Sequence, residues 1–268
     1  MSVIGRRILV RGAGDIGSAV AVRLFQSGHR LAIHEEPEPT TTRRGMALAD
    51  AVFDGFAELE GVKGVRVDDC QRLLDILSSG GVIPLVMVNF MSVVAAMQPE
   101  VLIDARVRKR RVPESQRGLA PLTVGLGPNF IAGKTTDVVV ETSWEGPGRV
   151  IPSGSPLPFR GEPREIAGHA RDRYVYTSDA GIFRTDRHVG ERVRAGEIVA
   201  HVGGTALAAP LDGVLRGLTR DGVRVAIDTK VIEVDPRGDS ALVRGIAERA
   251  ERIALGVVRA IQQVAATK

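Results

Sequence analysis

Arg7-Ile8-Leu9-Val10 runs straight into the glycine turn R-G-A-G-D-I-G, and that junction limits the fold more than any other part of the chain. Gly12, Gly14 and Gly17 follow the short apolar strand at G-x-G-x-x-G spacing. Ala19, Val22, Leu24 and Phe25 form an apolar side over Ser18 to Ser27, and Gly28 ends the predicted helix. Leu31-Ala32-Ile33-His34 then reads as a second strand. Each glycine has a physical task in such a strand–turn–helix–strand unit. Gly12 permits the tight turn, Gly14 lets the backbone approach a phosphate, and Gly17 lets the helix lie close to the strand.

This context is the one that a dinucleotide fingerprint requires. Unpaired N–H groups at the helix start, with the helix dipole behind them, favour an anion. Glu35 lies 18 residues beyond Gly17, where a ribose-binding acid falls. Asp15 points the other way. It suits the positive end of a helix, yet it repels a pyrophosphate placed there. Purely structural use of the glycines therefore stays open. Glu36 and Glu38 speak against a 2′-phosphate, and Arg43 and Arg44 are the nearby basic candidates.

Further strands are predicted at Val82–Val88, Val101–Ile103, Thr123–Leu126 and Asp137–Glu141, alternating with helices in the first half. Pro84 is awkward inside its run and suggests an edge or bulge. Gly12, Glu35, Asn89, Asp104 and Glu141 all fall at carboxyl ends of strands, where open α/β sheets gather ligands. That rim is the candidate site, with Arg11, Arg43, Arg44, Asp104 and Lys134 as its charged members. The run Arg106, Arg108, Lys109, Arg110, Arg111 is either a solvated loop or a place for an anionic ligand. Gly133-Lys134-Thr135 imitates a phosphate loop, but five residues separate Gly127 from Gly133 where four are needed.

Composition removes several classes. Aromatics are 4% and none interleaves with the basic run, which disfavours nucleic acid. No apolar stretch approaches the ~18 residues of a membrane helix, and no long apolar run precedes the glycine turn. The expectation is a cytoplasmic protein. Cys70 is the only cysteine, so neither an internal disulfide nor a cysteine-based metal site is expected.

Gly146–Gly161 is dense in proline and glycine and reads as a connection. From Asp179 to Val225 short alternating segments are punctuated by Gly190, Gly196, Gly203-Gly204, Gly213 and Gly222. This stretch resembles the small β-sandwich of biotinyl and lipoyl carrier modules. No lysine lies between Gly181 and Lys230, so the carrier function is rejected and only the fold likeness kept. Leu242, Ile246, Ala250, Ile253, Val257, Ile261 and Val264 recur at helical spacing, predicting one amphipathic helix over Ser240–Ala266 capped by Asp239 or Ser240. Its stripe suits the protein's own core; a homodimer contact is the alternative. The expected architecture is α/β: a Rossmann-like domain over 1–145, a connection over 146–175, a barrel-sandwich over 176–238 and a terminal helix over 239–268.

One succession runs through nearly the whole chain: VRGAGDIG, EEPEPTTTRRGMALADAVFDG, LIDARVRKR, VGLGPNFIAGKTTDVVVET, APLDGVLRGLTRDGVRV and EVDPRG. It resembles the YqeB family, accessory proteins of selenium-dependent molybdenum hydroxylase systems, which is distantly similar to the XdhC/CoxI maturation factors. The resemblance implies a factor that matures a molybdenum hydroxylase, with the apo-enzyme as partner and an anionic molybdenum cofactor or a nucleotide as ligand. Arg11, Gly12, Gly14 and Gly17 would form the anion-binding turn. Two rivals remain: an NAD-dependent oxidoreductase and a non-enzymatic scaffold. No catalytic proton-transfer group is assigned.

Overall fold

The computed structural model describes residues 5–108, 111–161 and 163–267. These divide into two compact units. Unit 1 combines 1–37, 47–160 and 246–268, and unit 2 combines 38–46 with 161–245.

Unit 1 opens with strand β1 (Arg7–Arg11), helix α1 (Asp15–Gln26) and strand β2 (Arg30–His34). Helix α2 (Ala51–Asp54), strands β3 (Phe56–Leu59) and β4 (Val62–Val67), helix α3 (Cys70–Ser79) and strand β5 (Ile83–Val86) follow. Helix α4 (Phe90–Met97) and strands β6 (Val101–Asp104), β7 (Leu122–Leu126), β8 (Val138–Val140) and β9 (Val150–Ile151) complete the sheet. Its nine strands lie in the order β3-β4-β5-β2-β1-β6-β7-β8-β9. Pairings are parallel from β4 to β8, whereas β3 and β9 are antiparallel to their neighbours.

Alternation along the central strands sorts the core into two faces. Ile8, Val10, Val101 and Ile103 join one cluster with α1, while Leu9 and Leu102 join another with Leu73, Ile76, Leu77, Val93 and Met97. Helix α5 (Glu248–Thr267) adds Ala250, Ile253, Ala254, Val257, Ala260 and Ile261 to the first cluster. Its Gly256 lies so close to Gly148 that an added Cβ would stand 2.3 Å from the Gly148 carbonyl oxygen. Pro84 marks neither the expected edge nor a bulge: β5 is an interior strand, Pro84 pairs with Val65 of β4, and β2 is met only from Leu85 onward.

Unit 2 holds β10 (Tyr174–Tyr176), β11 (Gly181–Arg184), β12 (Arg192–Val193), β13 (Ile198–Val202), β14 (Thr205–Ala208), β15 (Gly213–Leu218), β16 (Arg224–Val225) and β17 (Lys230–Asp235). They form two four-stranded sheets, β10-β17-β15-β12 and β14-β13-β11-β16, with antiparallel pairings. The early segment belongs here too: Leu218 N donates to Thr42 O at 2.8 Å.

The expected architecture is therefore corrected. In place of a Rossmann-like sheet followed by a biotinyl/lipoyl-like sandwich, the chain builds one nine-stranded, mainly parallel sheet and two separate antiparallel sheets. Hydrophobic periodicity identifies strands and their faces, but it does not fix their order or which distant segment completes a unit. The terminal stretch differs likewise. A short 3₁₀ turn, Ser240–Val243, is capped by Asp239, whose Oδ1 accepts from Ala241 N, and α5 begins only at Glu248. Among the described residues no helix is long and apolar enough to cross a membrane.

Candidate functional site

The glycine turn joins β1 to α1 at the carboxyl end of the sheet. Gly12 has φ +108°, and a Cβ there would stand 3.2 Å from Arg106 main-chain and side-chain atoms. Gly17 is tighter: an added Cβ would lie 1.9 Å from the Gly12 carbonyl oxygen. Gly12 is therefore favoured by its positive φ, and Gly17 is demanded by packing. Gly14 is different. It has φ −65°, and an added Cβ would meet nothing within 4 Å. Ser18 pins the turn, its Oγ donating to Ala13 O and accepting from Leu48 N, each at 2.8 Å.

Two acids engage the main chain of the turn. Glu35 Oε2 accepts from Ala13 N at 2.6 Å and its Oε1 from Glu36 N at 2.8 Å. Burial pushes the Glu35 carboxyl above its ordinary value, against the opposing pull of those two N–H groups. Asp15 Oδ1 accepts from Ile16 N at 3.0 Å, inside the first turn of α1.

Beside the turn, β1 and β6 end in Arg11 and Asp104, which pair in register. Asp104 is buried and grips Arg106, its Oδ1 accepting from Arg106 N at 3.2 Å and Nε at 3.0 Å. Arg11 Nη1 donates to Glu114 Oε1 at 2.6 Å, and Arg106 Nη2 donates to the same oxygen at 3.0 Å. The Arg11 guanidinium also lies 3.9 Å from the centroid of the Phe90 ring, whose edge meets His34. Burial and the neighbouring Arg106 lower the Arg11 pKa. Burial works against the charge of Arg106 as well, but Asp104 and Glu114 outweigh it and raise its pKa. Partial burial opposes the charge of Glu114; its own N–H with Arg106 and Arg11 overcomes this and brings the carboxyl to about 2. Among the described residues nothing accepts from two buried guanidinium nitrogens, Arg11 Nε and Arg106 Nη1. Such donors are costly unless something accepts from them.

A cavity of about 230 Å³ lies along the same carboxyl rim, lined by Pro37, Val52, Arg66, Asp68, Met87 and Val88. Pro37, Asp68, Met87 and Val88 follow the ends of β2, β4 and β5, Arg66 lies on β4, and Val52 lies on α2. Among the described residues no three His, Cys, Asp or Glu side chains stand close enough to hold a metal ion.

The structure thus brings Arg11, Gly12, Gly14, Gly17, Glu35 and Asp104 to one rim. The other candidates have their own local settings. Lys134 is exposed in a loop where its N–H donates to Ile131 O, and its ammonium has no ion pair among the described residues. Arg43 and Arg44 belong to unit 2. Glu141 is buried and accepts from Thr142, Ser143 and Leu157 N–H groups, a structural anchor. Asn89 caps α4. Lys109 and Arg110 lie outside the described residues. Sequence reasoning found Arg106 only as part of the basic run, and it missed Phe90 and Glu114. Arg106 two residues past a strand-terminal Asp was the available signal; Glu114 had none.

Fold and site together define an α/β protein with two buried arginines beside a glycine turn at the ends of its parallel strands. Uncharacterized protein YqeB of Escherichia coli (strain K12) is 35% identical to it over 97% of this chain and 49% of that protein. This match supports the YqeB family for the chain, which spans about half the length of that curated relative. No family model matches. Among solved structures, a succinylglutamate desuccinylase from Silicibacter sp. TM1040 is 14% identical, with 86% of this chain and 85% of that one covered and a TM-score of 0.26. A succinylglutamate desuccinylase/aspartoacylase from Rhodobacter sphaeroides is 17% identical, with 86% of each chain covered and a TM-score of 0.24. At those TM-scores neither likeness carries an argument.

Proposed function

We propose that the chain is an accessory or maturation factor for a molybdenum hydroxylase, and that unit 1 handles an anionic cofactor or nucleotide at its glycine turn. The observation that carries the ligand chemistry is the pair of buried guanidinium nitrogens of Arg11 and Arg106 with no acceptor among the described residues, beside a Gly14 with open space around it. Phosphate oxygens accept from such groups more strongly than neutral acceptors do. The hydroxylase assignment rests on the YqeB resemblance. The NAD reading is weakened by an acid of the turn. Both oxygens of Glu35, the ribose-binding candidate, already accept N–H groups.

Thermal unfolding in the presence of released molybdenum cofactor, CTP or NAD tests this, because a ligand of the native state raises the melting temperature by mass action. A shift with the molybdenum cofactor or CTP, absent in Gly14→Val, is the expected result. Gly14→Val places bulk in open space, so it blocks the turn without disturbing the core. A shift with NAD alone, lost in the same variant, would replace the proposal with the oxidoreductase.

A further inference from the structure

Arg11 and Arg106 expose only 10% and 9% of their side chains, and a single carboxylate oxygen bridges them. That oxygen is Glu114 Oε1; Arg108 Nη1 stands 3.9 Å from the other, Oε2. The two acids at this place are held very differently. Asp104 is buried at the end of β6 and binds both the main chain and the guanidinium of Arg106. Glu114 leaves 49% of its side chain exposed and lies in a stretch, 111–116, without helix or strand. One oxygen shared between two guanidinium groups is also how an oxygen of a phosphate or diphosphate is held.

We infer that Glu114 is an internal stand-in for the anionic group of the ligand: a phosphate oxygen takes over the bridge between Arg11 and Arg106, and Glu114 leaves to solvent. This rests on the anion-site reading and adds its regulation. The apparent affinity is then the intrinsic affinity reduced by the fraction of time Glu114 has vacated the bridge. The exchange keeps an anion over the same two cations while Asp104 stays paired with Arg106. Half-exposed as it is, Glu114 regains water when it leaves, whereas Asp104 would leave Arg106 without its fixed partner.

Calorimetric titration with metal-free inorganic pyrophosphate at one fixed salt concentration tests the inference. The wild type, Glu114→Gln, Glu114→Ala and Glu100→Gln are compared. Glu100 holds Arg7 N at 2.9 Å, at the opposite end of β6, and controls for net charge. Affinity should rise from wild type to Gln to Ala, by about tenfold for Ala. Glu100→Gln should change it by less than about twofold, since a charge a strand's length away is screened. An equal rise in Glu100→Gln would reduce the effect to net charge and overturn the inference. Binding that Glu114→Ala leaves unchanged or weakens would overturn it too, while the anion site stands. Absence of heat with every variant would remove the site and the inference together.

Discussion

Each unit sets a carboxylate among guanidinium groups, and the two settings differ in solvent. Glu114 in unit 1 bridges Arg11 and Arg106 with 49% of its side chain exposed. Glu233 in unit 2 is fully buried on β17. It accepts from Arg43 Nε and Nη2 at 3.0 Å each, from Arg173 Nη1 at 3.2 Å and from Lys230 Nζ at 2.9 Å. Arg216 Nε stands 3.4 Å away, and Arg173 itself is 1% exposed. Burial opposes the charge of Glu233, yet Arg43 and Lys230 overcome it and hold the carboxyl well below its ordinary value. A carboxylate that cannot reach water is a fixed part of the fold. One that half-faces water can be exchanged. The same pairing of residue types therefore serves structure in one unit and suits binding in the other.

The largest expected effect tests the structural half of that contrast. Glu233→Ala leaves several cations facing one another without their central anion, and removing one partner of a buried ionic cluster costs roughly 3–5 kcal/mol. Denaturant unfolding followed in the full chain should show a loss of that size; a loss comparable to that of Glu114→Ala would erase the distinction between the two carboxylates. A smaller effect sharpens the contrast within unit 1. Gly17→Ala drives a Cβ toward backbone 1.9 Å away and should destabilise by about 1–3 kcal/mol. Gly14→Ala, with nothing within 4 Å, should change stability by no more than about 0.5 kcal/mol. Thermal melts of the pair separate the glycine that packs from the glycine that leaves room; equal losses would deny that difference.

The rim of the sheet was legible in the sequence because its signals are local. Glycine spacing, the apolar strands and the acid at the end of β2 sit within one βαβ stretch, and the structure places Gly12, Gly17 and Glu35 around one turn. Most of what escaped depends on distance along the chain, with one local exception. The hairpin of β3 and β4 turns through Glu60 and Gly61, both with positive φ, 51° and 73°. A glycine between alternating segments was a usable sign of it. No local pattern announces that Glu38–Met46 joins unit 2, or that Arg43 meets a carboxylate 190 residues later. Glu114 carries no periodic signal either; it gains meaning only from Arg11, 103 residues earlier in the chain. Arg43 and Arg44, expected at the rim, belong to unit 2, where Arg43 pairs with Glu233.

A small predicted effect bears most directly on whether Glu114 is exchangeable. Its carboxyl lies at about 2 in the folded protein against an ordinary 4.5, so the unfolded chain takes up the proton first as pH falls. The stabilisation from the bridge is complete above about 4.5 and is lost progressively as pH falls toward 2. Solvent screening of a half-exposed pair keeps that contribution below about 1 kcal/mol. Glu114→Gln should therefore lie slightly below the wild type in stability near neutral pH, and the two should converge between pH 4.5 and 2. Glu233 titrates in both proteins alike, so the difference between the two curves isolates Glu114. A difference of several kcal/mol near neutrality would make Glu114 as firmly built in as Glu233, too costly to displace for a ligand that binds at ordinary affinity.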